Sequence, residues 1–339
     1  MTGDISRVIR LPDQPTLDTM ALSHVPIPQP GPDDVLMRVR ATSLNFHDYL
    51  VVGGFIPVPA GRVPMSDGAG EIVALGAHVT GFAVGDRVMG AFFPDWVDGI
   101  PTDLNNARIS GETTDGFAAE HVVIPAHSLT PMPKGWSFAE AATLPCAGLT
   151  AWRALVVEGD LAAGDTVLLP GSGGLSVYAL QIAKALGLTA IVTSSSDEKL
   201  KRLAALGADQ GINYRTDPAW GKAVRALTKG IGADLVIEIG GQSSFAQSVT
   251  ACRMGGRIMV VGSTANGAPE LPLRDVVMHH IRVNGMAVGS VSQLRNLVSF
   301  VETHAIHPII DRAFAIDQLA EAFRYQLTGA HLGKIAVTL

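Results

Sequence analysis

The residues best suited to chemistry in this chain lie in one short run, Gly171-Ser172-Gly173-Gly174-Leu175-Ser176. Small residues let a backbone come close to a diphosphate. A helix that starts just after them offers free N–H groups and a partial positive charge. Such a run carries weight only between a strand and a helix. Here an apolar stretch, Thr166-Val167-Leu168-Leu169-Pro170, precedes it. Val177, Ala179, Leu180, Ile182, Ala183 and Leu186 then recur with helical spacing until Gly187, and a second strand is expected at 190–193. Ser176 stands where the third glycine of G-x-G-x-x-G usually falls. The alternative is a glycine turn without a ligand, which the strand and helix on either side argue against.

The end of the second strand decides which dinucleotide fits. An NAD site usually places a carboxylate there to grip the ribose hydroxyls. This chain reads Thr193-Ser194-Ser195-Ser196, and the nearest acid, Asp197, is expected to begin or cap the next helix. Hydroxyls and a nearby cation welcome a 2′-phosphate, whereas a carboxylate repels it. Lys199 lies just inside that helix, and Tyr214 and Arg215 follow the third strand. The residues therefore favour NADPH. Taken singly, Lys199 also reads as a solvated helix residue and Tyr214 as a strand-end aromatic.

These residues need two kinds of scaffold. With 339 residues the chain is long enough for two domains, and 47% hydrophobic against 17% charged content supports large cores. Up to about residue 127 the pattern is mostly β. Val35, Met37 and Val39 share one face of a strand at 34–40, with Arg38 and Arg40 on the other. Further strands are expected at 71–76 and 86–90, with glycine turns at Gly81, Gly85 and Gly90. This suggests a barrel-like unit. From about residue 134 strands and helices alternate. Ser137 and Glu140 form a capping box, and a helix is expected at 149–157. Strands are expected at 210–213, 234–239, 256–261 and 281–288, with helices at 197–206, 219–228 and 244–252. That alternation indicates a doubly wound parallel sheet. The last segment, from about residue 291, holds two helices and a final strand at 334–339, and is expected to return to the first domain. The domains are thus expected at 1–127, 128–290 and 291–339.

Several classes are disfavoured. A net charge of −6 with scattered basic residues gives no nucleic-acid footprint. No apolar run is long enough to cross a bilayer, and no signal peptide is evident at the start. Cys146 and Cys252 are the two cysteines, too few for a disulfide framework. A cytoplasmic setting is expected. Residues 91–115 break the rhythm, with Phe92, Phe93 and Trp96 among aspartates and asparagines. They form either a surface excursion or a loop that shapes a substrate pocket with those aromatics as apolar walls.

Seven segments together resemble the medium-chain dehydrogenase/reductases, in the zinc-free branch of NADPH-dependent quinone oxidoreductases. They are Leu44-Asn45-Phe46-His47-Asp48, Asp67-Gly68-Ala69-Gly70-Glu71, 81–88, Gly116-Phe117-Ala118-Ala119-Glu120, Gly171 to Ser176, Ile212-Asn213-Tyr214-Arg215, and 329–335. The resemblance covers nearly the whole chain. It implies an α/β architecture, a GroES-like β-rich catalytic domain plus a doubly wound Rossmann domain. The catalytic-zinc ligands of zinc-dependent relatives fall on Asn45, Ser66 and Cys146. Only the last is a competent soft ligand, so no metal is expected. No cysteine lies before Cys146, so the structural-zinc lobe is missing as well.

Without zinc the site suits delivery of hydride from NADPH to an activated acceptor, a quinone or an α,β-unsaturated carbonyl. The resemblance then implies the site residues. Asn45 is expected to contact the substrate oxygen or the nicotinamide. His47 either donates the balancing proton or hydrogen-bonds to ribose or backbone. Thr150 is expected near the nicotinamide. Gly171, Ser172, Gly173, Gly174 and Leu175 meet the diphosphate, with Ser194, Ser195, Lys199 and Tyr214 around the adenosine phosphate. Gly240 lies over the adenosine side. Val261, Gly262 and Ser263 border the nicotinamide ribose, Gly289 ends the sixth strand, and Lys334 reaches a phosphate. A homodimer paired through the strand at 281–288 is expected. Two other functions stay open: an alcohol or aldehyde dehydrogenase-reductase of the same superfamily, and a low-turnover NADPH-binding structural or sensing protein.

Overall fold

The computed structural model describes residues 5–262 and 271–339. The chain divides into two compact units, Met1–Leu149 with Gly289–Leu339, and Thr150–Val288.

The first unit begins with an antiparallel hairpin, β1 (Ile5–Arg10) and β2 (Ala21–Pro26). The long strand β3 (Asp34–Ser43) follows. Val35, Met37 and Val39 are buried as their alternation requires, and Arg38 is exposed. A short helix, α1 (Phe46–Val52), leads to β4 (Gly68–Leu75), β5 (Arg87–Gly90), β6 (His121–Pro125), β7 (Leu129–Pro131) and α2 (Phe138–Ala141). Ser137 and Glu140 make the expected capping box on α2. β3 pairs with both β4 and β6, and β5 joins β4 to β7. That last pairing explains why the first unit extends past the boundary expected near residue 127. β7 starts at Leu129, yet it belongs to this sheet.

α3 (Leu149–Trp152) begins on the last residue of the first segment and continues into the second unit, set between π-helical turns at Leu144–Gly148 and Arg153–Val157. Then come β8 (Thr166–Pro170), α4 (Gly174–Ala185), β9 (Thr189–Ser194), α5 (Asp197–Ala205), β10 (Gln210–Asn213), α6 (Trp220–Leu227), β11 (Ala233–Glu238), α7 (Phe245–Ala251), β12 (Cys252–Val260), α8 (Leu273–Met278) and β13 (Arg282–Gly285). The six strands are parallel, in the order β10-β9-β8-β11-β12-β13. The order reverses between β8 and β11, where ligands bind in folds of this type. Val167, Leu168 and Leu169 of β8 and Leu235, Val236 and Ile237 of β11 are buried, as strands covered on both faces must be. β13 forms the edge. It is shorter than expected, and its four residues are exposed.

The tail holds α9 (Val291–Thr303), β14 (Ile310–Ala315), α10 (Leu319–Leu327) and β15 (Lys334–Thr338). β15 pairs antiparallel with β3, so the tail completes the first unit's sheet, and β14 adds an edge strand that the sequence did not suggest. Among the described residues, no helix is long and apolar enough to cross a membrane.

Candidate active site

The end of β3 and the start of α1 build a buried polar cluster. Asn45 is the N-cap of α1, and Asp48 turns its carboxylate back over the helix start. Asp48 Oδ2 accepts from the Asn45 amide at 3.0 Å, and Oδ1 accepts from the Ser66 amide at 2.8 Å. Asp67 is fully buried, and its Oδ2 accepts from Ser43 Oγ at 2.6 Å and from Asn45 Nδ2 at 2.8 Å. The pairing of β15 with β3 brings Lys334 to the same place. Its Nζ donates to the Leu44 carbonyl and to Asn45 Oδ1, both at 2.6 Å, and lies 3.5 Å from Asp67 Oδ2. Lys334 is only 3% exposed. This alters two expectations. Asn45 Oδ1 is bonded to Lys334, and its Nδ2 is shared between Asp67 and Ser66 Oγ, so the amide is used inside the cluster. The Lys334 ammonium is used there as well, bonded to the Leu44–Asn45 turn instead of being presented to a phosphate.

Burial pushes the Asp67 carboxyl above its ordinary range, and the Lys334 ammonium offsets only part of this. Asp67 Oδ1 is buried with no hydrogen-bond partner. Cys146 is half-buried. Desolvation, reinforced by Asp67, holds its thiol well above the usual value, so it stays protonated.

His47 lies on the other side of Asp48. Its Nε2 is 2.6 Å from Glu112 Oε2, and its ring meets Phe92 edge-on at 5.1 Å. Nδ1 is buried 3.8 Å from Asp48 Oδ1, too far for a hydrogen bond. Burial alone would lower the imidazole pKa, but the carboxylates of Asp48 and Glu112 outweigh it and raise it to about 9. The ring is therefore charged at neutral pH. A raised folded-state value stabilises fully below the unfolded value of 6.5 and is lost as pH rises to about 9. The shift corresponds to at most about 3 kcal/mol. Thermal melts between about pH 6 and about pH 10 should show this loss in the wild type and a flatter profile in His47→Gln. An equal slope in both proteins would contradict the assignment.

Glu112 carried no recognisable signal in the sequence. The aromatics of the same loop also differ from expectation. Phe92, Phe93 and Trp96 are at most 6% exposed and pack on one another at 4.8 and 6.0 Å. They are core residues of the first unit, and the Trp96 carbonyl accepts from the Val291 amide at the start of α9.

In the second unit the glycine-rich turn sits between β8 and α4 as expected. Gly171 has φ +84°, and its N–H donates to the Thr193 carbonyl at 2.9 Å. A side chain there would be strained in that conformation. Ser172, Gly173, Gly174 and Leu175 lead into the 12-residue α4, with Gly173 as an extended N-cap. Ser176 fits at the third-glycine place because its Oγ donates to the Pro170 carbonyl at 2.6 Å. At the end of β9, Ser194 is level with Asn213 of β10, and the Tyr214 amide donates to the Ser194 carbonyl at 3.1 Å. Ser195 follows Ser194. Ser196 caps α5 by accepting from the Lys199 amide. Asp197 Oδ1 accepts from Asn213 Nδ2 at 2.7 Å. Ser194, Ser195, Lys199 and Tyr214 are thus brought together.

Gly240 lies two residues past the end of β11, and its N–H and that of Gly241 donate to Glu238 Oε1 at 2.7 and 2.9 Å. Glu238 is fully buried and also accepts from Ser244 and Ser248, a role the apolar strand pattern had hidden. The Val261 amide donates to the Glu238 carbonyl, and Gly262 borders open space. Ser263 lies outside the described residues. Thr150 is buried in the second unit, and Gly289 precedes the capping box of α9 in the first.

Two family descriptions match this chain: "Alcohol dehydrogenase GroES-like domain" over residues 31–134 and "Zinc-binding dehydrogenase" over residues 174–303. A zinc-type alcohol dehydrogenase-like protein of Schizosaccharomyces pombe is 40% identical over 331 residues, covering 95% of this chain and 96% of that protein. The chain belongs to the medium-chain dehydrogenase/reductase family. Its two units are the GroES-like catalytic domain and the Rossmann domain of that family, and the protein is an oxidoreductase. Among solved structures, an NAD-dependent alcohol dehydrogenase matches with 34% identity and a TM-score of 0.91, covering 98% of this chain and 99% of that one. A 2-octenoyl-CoA carboxylase reductase in complex with NADP and 2-octenoyl-CoA matches with 27% identity and a TM-score of 0.87, covering 100% and 88%.

The zinc-dependent members of the medium-chain dehydrogenase/reductase family set a test for the cluster. A catalytic zinc needs about three thiolate, imidazole or carboxylate ligands and an open position. The corresponding places here hold an amide bonded to an ammonium, a hydroxyl and a protonated thiol. This donor set does not fit zinc. Among the described residues, no three His, Cys, Asp or Glu side chains are grouped to hold a metal.

Proposed function

We propose that this family member is an NADPH-dependent reductase of quinones or α,β-unsaturated carbonyls that works without zinc. The observation that carries the reading is the Lys334 ammonium bonded to the Asn45 amide beside buried Asp67, where zinc-dependent relatives keep metal ligands. An alcohol needs its alkoxide stabilised before it can release hydride, which a metal does well. A conjugated acceptor carries the developing charge to its own oxygen.

Bound NADPH supplies the hydride. The chain's part is to hold and orient it and to manage one proton. Gly171 to Leu175 at the start of α4 suit the diphosphate, and Ser194, Ser195, Lys199 and Tyr214 suit the 2′-phosphate. Asp197 supports the phosphorylated coenzyme by turning its Oδ1 to Asn213. The charged His47 is the proton reservoir nearest the cluster.

The names of the relatives favour a second reading, an alcohol or aldehyde dehydrogenase-reductase. One experiment separates the two. Rates are measured with NADPH against quinone, enone, aldehyde and alcohol panels, with metal analysis of the same sample. Quinone or enone reduction without bound zinc is expected. Stoichiometric zinc with metal-dependent alcohol oxidation would overturn the reading.

A further inference from the structure

Among the described residues, His47 has no free nitrogen toward solvent. Nδ1 is buried facing Asp48, and Nε2 is committed to Glu112 at 2.6 Å. A proton that leaves the ring through Nε2 must therefore pass to the Glu112 carboxylate. The carboxylates acting on the ring are Asp48 from its own helix and Glu112 from the loop, while Phe92 presents an uncharged edge. Asp48 is 1% exposed, whereas Glu112 keeps 19% of its side chain open.

Glu112 is also held in place. Its amide donates to the Ile109 carbonyl, Gly111 bonds across the turn to Thr114, and Thr113 Oγ1 accepts from the Ile109 amide at 2.7 Å. Gly111 has φ +81°, and a Cβ there would come within 2.8 Å of the Met65 backbone, so the turn is seated directly on the chain that leads to Ser66 and Asp67. Ser110 donates to the carbonyl of Phe92, the residue packed on the His47 ring. The carboxylate and the imidazole thus share one rigid support, as proton transfer between fixed groups requires.

We propose that Glu112 is the outlet of a proton relay, Asp48–His47–Glu112, that serves the reduction. This rests on the reductase reading above. When the acceptor is reduced, its oxygen gains negative charge. The Nε2–H bond breaks, and its proton moves to Glu112. A carboxyl proton of Glu112 then forms the new O–H bond on the acceptor. The ring is left neutral with Nδ1–H facing Asp48, which stabilises that tautomer. One proton from water enters through the same carboxyl and restores the charged ring.

The test uses the full-length protein. Glu112→Gln keeps the side chain's size and an oxygen for Nε2–H but cannot pass a proton. Its kcat with an enone or quinone should fall by about ten- to a hundredfold, within the range of general acid catalysis. KM and NADPH affinity should stay near wild type, and the melting temperature should fall only by the share of the His47 stabilisation that Glu112 supplies. Glu112→Ala should regain rate with added formate. A wild-type kcat in Glu112→Gln, or a loss confined to melting temperature, would overturn the relay. A second readout needs no turnover. The exchange of the His47 Nε2 proton with water, followed by 15N NMR, should slow several-fold in Glu112→Gln. Unchanged or faster exchange would count against the outlet. If the wild type reduces no quinone or enone, the reductase reading falls while the exchange rate still decides the relay.

Discussion

On the proposed preference for NADPH, replacing Ser195 with aspartate is expected to invert it. In the wild type, Ser194, Ser195, Lys199 and Tyr214 lie at the ends of β9 and β10, and the nearest acid, Asp197, turns its Oδ1 to Asn213. A 2′-phosphate gains charge-assisted hydrogen bonds there, worth about 1.5–3 kcal/mol each. An aspartate at 195 removes the bond that Ser195 supplies and adds repulsion, while giving the NADH ribose two hydroxyl contacts. Each 1.4 kcal/mol is about tenfold in affinity. The ratio of kcat/KM for NADPH over NADH should therefore fall by about a hundredfold or more. Lys199→Ala should move the same ratio in the same direction by about tenfold. Steady-state rates with both coenzymes read it directly. A wild type that uses NADH as well as NADPH would refute the assignment, and the mixed coenzymes named for similar structures make this the comparison to run first.

Much of this was legible in the sequence, for reasons that can be named. β8, the glycine turn and α4 were readable because burial on both strand faces and a helical stripe leave separate periodicities. The capping box on α2 follows from local spacing alone, whereas α5 is capped by Ser196 and not by Asp197, the acid expected to begin or cap it, which is its first residue. β14 was not readable. Ile310-Asp311-Arg312-Ala313-Phe314-Ala315 is a half-exposed edge strand with no clean alternation, held by its pairing with β15. The π-turns on either side of α3 likewise have no composition cue. In the site, the types of Asn45, His47 and Lys334 were suggestive, but their partners were not. Lys334 meets Leu44 across 290 residues of chain, and Glu112 meets His47 across 65. Such contacts are set by how the sheet closes, so spacing could point to the residues while misplacing what their polar atoms do.

Removing the Lys334 ammonium should give the largest stability effect in the catalytic domain. Lys334→Met leaves a methionine of similar length and no charge beside Asp67, whose carboxyl is fully buried and already has one unpartnered oxygen. Breaking a buried pair from one side costs about 3–5 kcal/mol, because the remaining charge is uncompensated. For a domain of this size each kcal/mol moves the melting temperature by about 2–4 °C, which gives a drop of roughly 6–20 °C at neutral pH. The pH dependence has a definite sign. The folded-state value of Asp67 is raised by burial above its unfolded value, so folding favours proton binding there. Stability linked to it is therefore full at low pH and is lost as pH rises through the folded value. Without Lys334 that value rises further, and the loss extends to higher pH. The variant should lie nearest the wild type in mild acid and furthest from it above neutrality. Adding Asp67→Asn to Lys334→Met removes the stranded charge and should recover much of the loss, with a coupling of about 0.5–3 kcal/mol in the double-mutant cycle. Additive effects, or a loss independent of pH, would show that Lys334 acts only as a hydrogen-bond donor to Leu44 and Asn45. The cluster would then fix the turn into α1 without the charge balance argued for it.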